Sequence, residues 1–147
     1  MNTRRRLGRI PPVSPFGLIQ ETLWPDEWKI LVACVLLNCT TRKVMEKIVT
    51  ELFDRYPTPG DMAIADPEEL STMIETLGLQ EKRAKTLIDL SKAYLTQTWT
   101  NADELPGIGE YGRAAHDIFV KGEVLSSPPK DGALVKYHRW QRENASR

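Results

Sequence analysis

"ELPGIGEYG", residues 104–112, holds three glycines in the order G-x-G-x-x-G, at positions 107, 109 and 112. That spacing marks a dinucleotide-binding turn only when a strand runs into it and a βαβ unit surrounds it. Here Thr100 to Glu104 is polar, and no segment of the chain sustains the period-two alternation of a strand. The stretch reads instead as a tight connection between two helices. Pro106 fixes one turn, while Gly107 and Gly109 permit positive φ and present bare backbone. A helix that starts on such a hairpin points its first amides, and the positive end of its dipole, outward to where a phosphate oxygen can meet them. Such contacts position a nucleic-acid backbone without reading its sequence. The competing reading is an ordinary helix–helix connection.

Helix punctuation recurs on the N-terminal side. Thr58-Pro59-Gly60-Asp61 supplies an N-cap, a proline at the first helical position and an acid two residues on; Asp66-Pro67-Glu68-Glu69 repeats the pattern with Glu69 as a capping-box acid. Pro57 closes a segment that begins near Arg42, and Gly78 follows Ile74 and Leu77 as a left-handed C-terminal cap would. From Gln80 to Leu95 the apolar positions Ala84, Leu87, Ile88, Leu90 and Tyr94 keep to one side at helical spacing. The pattern predicts an all-α chain of seven or eight helices with short connections. Residues 1–12, ending in Pro11-Pro12, read as a basic tail ahead of one domain over 13–147.

Composition allows a packed core: 41% of the 147 residues are apolar. Lys plus Arg and Asp plus Glu balance at 20 each, so net charge alone does not announce a nucleic-acid partner. The distribution is uneven. Arg4, Arg5, Arg6 and Arg9 crowd one end and Lys130, Lys136, Arg139, Arg142 and Arg147 the other, with acids gathered from Asp61 to Glu75. Cys34 and Cys39 are too few for a disulfide framework or a zinc or iron–sulfur ligand set, and His116 and His138 have no ligand partners at helical spacing. We therefore expect no metal, no iron–sulfur cluster, no soluble cofactor and an intracellular setting. The apolar run from Ile30 to Leu37 is too short to span a bilayer, so no membrane role is expected.

With its leading Leu105-Pro106, the hairpin resembles that of the helix-hairpin-helix DNA glycosylases, the superfamily of endonuclease III and the adenine mismatch glycosylase. The stretches "PPVSPFGLIQETLWPDEWKILVACVLLN", "LGLQEKRAKTLIDLSKAYL", "LPGIGEYG" and "KDGALVKYHRW" fall in the order of the catalytic domains of methyl-CpG-binding thymine glycosylases, from Pro11 to Trp140. The resemblance implies two small helical lobes with the active site in the cleft between them. It also implies a monomer that binds double-stranded DNA and flips a thymine, uracil or modified pyrimidine out of the stack. The residues it places on DNA are Leu105, Gly107, Ile108 and Gly109 in the hairpin, Asn38 at the orphaned partner base, Lys136, and Leu79 as an apolar wedge, for which packing within the protein is the alternative reading; Arg42, from the next turn, is a candidate substitute for an inserted arginine that the chain lacks at position 39.

The same resemblance places the catalytic carboxylate at Asp131. Breaking an N-glycosidic bond builds positive charge on the sugar, which a fixed anion stabilises while it orients or deprotonates water. Asp131 also precedes a helical pattern at Leu134, Tyr137 and His138, where an N-cap alone would explain it. Tyr111 falls where bifunctional members carry the lysine that forms a Schiff base, a reaction closed to a phenol. Tyr111 and Gln20 are implied to line the base pocket, the amide of Gln20 offering the donor and acceptor that an imide edge requires. Cys39 replaces the arginine that follows the asparagine in the thymine glycosylases, and Gly132 and Ala133 replace larger polar residues. Those departures leave open two other readings of the fold: an enzyme that modifies the 5-substituent of thymine, and a DNA-binding module without catalysis.

Overall fold

The computed structural model describes residues 19–23, 26–36, 42–121 and 140; for Gln20 and Arg42 it describes the helical backbone only. The order is α1 (Ile19–Leu23), α2 (Glu27–Leu36), α3 (Arg42–Arg55), α4 (Pro59–Ala63), α5 (Pro67–Met73), α6 (Gln80–Thr96) and α7 (Glu110–Phe119). One-turn 3-10 helices fall at Glu75–Leu77 and Ala102–Glu104, and no strand occurs among the described residues. The all-α expectation is met.

The helix starts follow the sequence chemistry closely. Thr58 caps α4, its Oγ1 accepting from the Asp61 amide at 3.2 Å and donating to the Asp61 carboxylate at 2.7 Å. Asp66 caps α5 through the Glu68 amide at 3.1 Å. Glu69 does not complete the expected capping box. Its carboxylate takes the Arg55 guanidinium at 2.6 and 3.3 Å, a forked pairing that outcompetes a neutral backbone donor and ties α5 to the end of α3.

Gly78 also departs from expectation. It has φ 78° but ψ 166°, outside the left-handed helical region, and Leu79 occupies that region instead at φ 50°, ψ 35°. The cause is spacing: only two residues separate the 3-10 turn from α6, so both must take positive φ to reverse the chain.

Helix α6 is the central post, with α4, α5 and α2 packed on it and α7 packed on α2. α2 is apolar nearly all round, which suits a helix covered on every side. It sends Leu31, Val32, Ala33 and Leu36 into a larger cluster with Leu52, Met62, Leu70, Leu87 and Leu90, and Ile30 into a smaller one with Ala115, Ile118 and Phe119. Full burial of each such side chain stabilises the fold by roughly 1.5–3 kcal/mol. The buried Trp28 indole donates to Ser91 Oγ at 3.1 Å, and Ser91 donates on to the Leu87 carbonyl at 2.8 Å, so a polar residue on the apolar face of α6 is satisfied.

Candidate nucleic-acid interface and active site

The hairpin is prepared by the turn before it. Glu104 Oε2 accepts the amides of Thr100 and Asn101 at 3.1 and 2.7 Å, which locks the 3-10 helix at Ala102–Glu104. Leu105 and Ile108 then turn inward, 3% and 6% exposed, and the Ile108 amide closes the turn on the Leu105 carbonyl at 3.2 Å. Their side chains anchor the loop in the larger cluster. Any contact these two residues make with DNA must therefore come from backbone, which refines the expectation for both.

The three glycines stand in three different surroundings. At Gly107 φ is 77°, and a Cβ would stand 2.2 Å from Thr86 Cγ2 on α6 and 3.4 Å from Val35 Cγ2 on α2. Gly107 is thus required by the fold. At Gly112 a Cβ would come within 2.7 Å of Ile108 Cγ2, so the constraint comes from the hairpin itself, while Cys34 Cβ on α2, at 3.6 Å, would be in ordinary contact. Gly109, with φ −101°, has open space where a Cβ would be. Among the described residues nothing around Gly109 excludes a side chain, and as N-cap of α7 it supplies no side-chain acceptor to the first-turn amides.

Tyr111 is the second residue of α7 and half-buried, packed with Leu23, Cys34, Ala114 and Trp140 around the smaller cluster. This grouping brings together elements far apart in sequence. α1, which bears Gln20, lies against α7, and Trp140, nine residues beyond Asp131, reaches the same cluster. The residues Asn38, Cys39, Asp131 and Lys136 lie outside the described residues, as do the side chains of Gln20 and Arg42.

Directly ahead of α6, Leu79 is 67% exposed despite being apolar and left-handed. Arg83 Nη1 donates to the carbonyls of Leu77 at 2.6 Å and Gly78 at 3.0 Å, and the Arg83 amide donates to the Leu79 carbonyl at 2.9 Å. The loop is held open by its own helix.

One polar group escaped the sequence reading. Glu27, the first residue of α2, is only 8% exposed; its Oε2 lies 2.7 Å from His116 Nε2 on α7 and its Oε1 accepts from the Tyr94 hydroxyl on α6 at 3.0 Å. An acid in a first helical turn reads as a solvated partner of the helix dipole, and the residue that buries it lies 89 positions away. Among the described residues no group of three or more His, Cys, Asp or Glu could hold a metal ion, and no helix is long and apolar enough to cross a membrane.

Two helices joined by a glycine hairpin, the second opening on a residue with no side chain, define a helix-hairpin-helix module within an all-helical fold. Residues 32–143 match the HhH-GPD superfamily of base excision DNA repair proteins, and the chain belongs to that family. It is 36% identical over 133 residues to a methyl-CpG-binding domain protein 4-like protein of Arabidopsis thaliana, covering 90% of this chain and 30% of that protein. It is 38% identical over 118 residues to a thymine/uracil-DNA glycosylase of Pyrobaculum aerophilum, covering 76% of this chain and 50% of that one. The chain thus spans half or less of the length of these relatives. A solved thermostable thymine-DNA glycosylase superposes with a TM-score of 0.61 at 27% identity, over 67% of this chain and 49% of that one.

Proposed function

We propose that this chain is a monofunctional DNA glycosylase that acts inside the cell on double-stranded DNA, extrudes a thymine, uracil or modified pyrimidine and hydrolyses its glycosidic bond. The observation that carries the reading is the start of α7, where an open Gly109 at the N-cap is followed two residues later by Tyr111. The resemblance aligns Tyr111 with the Schiff-base lysine of lyase members. The bare N-cap suits a phosphate of the DNA backbone, drawn to first-turn amides and the helix dipole. Tyr111 is half-buried against the smaller cluster, and in this reading its phenol helps to hold the base. Without an amine there, water is the nucleophile and an intact abasic strand the product.

In this reading Asp131 supplies the anion beneath the sugar and orients the water, Gln20 and Tyr111 hold the extruded base, and Asn38 and Arg42 address its vacated place. No soluble cofactor takes part. The name of the Pyrobaculum relative, a thymine/uracil-DNA glycosylase, supports a thymine or uracil substrate.

The test is Asp131→Asn, assayed on duplexes with G:T and G:U mismatches. Release of free base should fall by about 10³-fold or more, the scale of losing a charge-stabilising group, while duplex affinity stays within about threefold. Turnover retained in that variant would sink the assignment of Asp131. Absence of base release from every duplex by the unaltered protein, with DNA bound, would favour a module that modifies or merely binds DNA.

A further inference from the structure

The contact between α2 and α7 is pinned at two ends by unlike means. At one end the α7 backbone at Gly112 stands beside Cys34, where a Cβ would lie 3.6 Å from Cys34 Cβ; at the other His116 meets Glu27 at 2.7 Å in the interior. Residue 112 stands by 34 and residue 116 by 27, so the two helices run in opposite directions and the pair lies away from the hairpin. Between the pins the contacts are apolar, through Ile30, Ala115 and Phe119, and apolar contact is non-directional. It resists separation better than it resists sliding.

The polar contact is directional and closely held. His116 is 1% exposed, and its ring meets Trp99 edge-on with centroids 5.2 Å apart. A carboxylate oxygen only accepts, so Glu27 fixes hydrogen on Nε2 of the ring; Nδ1 is buried with no hydrogen-bond partner among the described residues. Tyr94 holds the second carboxylate oxygen, so α2, α6 and α7 meet at one acid. Displacing α7 by one residue, about 1.5 Å along its axis, would strand a buried imidazole and a buried carboxylate together.

We propose that Glu27 and His116 are positioning residues that fix the register of α7 along α2, and so set where the hairpin amides and Tyr111 stand. The inference rests on the reading of that end of α7 as the DNA-facing end. Neither residue touches substrate.

The experiment compares Glu27→Gln, His116→Gln and the apolar pair Glu27→Leu/His116→Phe with the unaltered protein. Three quantities are read: melting temperature, amide hydrogen exchange over residues 107–113, and single-turnover release of thymine or uracil against duplex affinity. A well-packed apolar replacement of a buried polar pair commonly keeps or raises stability, so the apolar variant should melt no lower than the unaltered protein. Its hairpin amides should nonetheless exchange about tenfold faster, the single-turnover rate should fall about 10-fold to 100-fold, and affinity should change by less than about threefold. Glu27→Gln, whose amide can satisfy both Tyr94 and His116, should restore most of the rate. Exchange and rate unaltered in the apolar variant would overturn the proposal. If that variant fails to fold, His116→Gln against Glu27→Gln decides it, equal and unchanged exchange in both overturning it. If the unaltered protein releases no base, the glycosylase reading fails, and the exchange data still decide the register claim.

Discussion

Two loops flank α6, and they treat their side chains in opposite ways. The hairpin turns Leu105 and Ile108 inward and leaves Gly109 bare; the loop before α6 buries Leu77 and pushes Leu79 out to 67% exposure. Both contain positive φ, at Gly107, Gly78 and Leu79. At Gly107 the rest of the chain explains the residue choice through Thr86 and Val35, and at Gly78 the backbone conformation does. At Gly109 and Leu79 nothing among the described residues explains the choice: a glycine in open space and an exposed leucine in a conformation that leucine disfavours. Within one family fold, the residues left unexplained by packing are the ones to examine for an outside partner.

The largest effect should come from the internally explained glycine. Gly107→Ala adds left-handed strain and a 2.2 Å clash with Thr86 Cγ2, and should cost about 2–4 kcal/mol of stability by urea denaturation. Adding Thr86→Ala should recover the steric part and leave the backbone part; a double variant no better than the single would show that the hairpin does not rest on α6 as described.

Gly109→Ala should behave in the reverse manner. Loss of stability should stay under about 1 kcal/mol, the scale of exchanging a glycine N-cap for alanine, while duplex affinity drops several-fold and the salt dependence of binding flattens. If affinity is untouched, the open face of Gly109 does not meet phosphate.

The smallest change in stability, and the one of unusual sign, belongs to Leu79→Gly. Glycine relieves left-handed strain of about 1–2 kcal/mol and gives back part of it as chain entropy, so stability should hold or rise by up to about 1 kcal/mol. Base extrusion, followed with a fluorescent base analogue in a mismatched duplex, should slow. A clear loss of stability would mean that Leu79 is a packing residue and that the contrast between the loops is false.

Much of this was legible in the sequence because it is local. Thr58, Asp66, Pro57 and the hairpin act on backbone within four residues, and the caps and stops appear where the residues demand. The failures have tertiary causes. Glu69 was drawn off its cap by Arg55 from another helix, and Gly78 yielded the left-handed position to Leu79 because two elements meet with no spare residue between them. Of the site, the hairpin and Tyr111 could be found from the motif. Glu27 could not, since its burial depends on His116 and Tyr94, which carry no signal near it. Leu105 and Ile108 were found as hairpin residues, but their burial shows only in three dimensions.

The two apolar clusters have a consequence for how the chain assembles. From Arg42 to Leu105 the helices pack largely on close sequence neighbours, α4 and α5 on α6, so the loops that must close are short and their entropic cost small. The pairing of α2 with α7 joins residues 89 positions apart and draws on the smaller cluster alone for much of its apolar contact. Docking α2 against α6 and α7 therefore closes far longer loops than the packing of α4 and α5 on α6, and it is this closure that completes the smaller cluster on which Tyr111 rests.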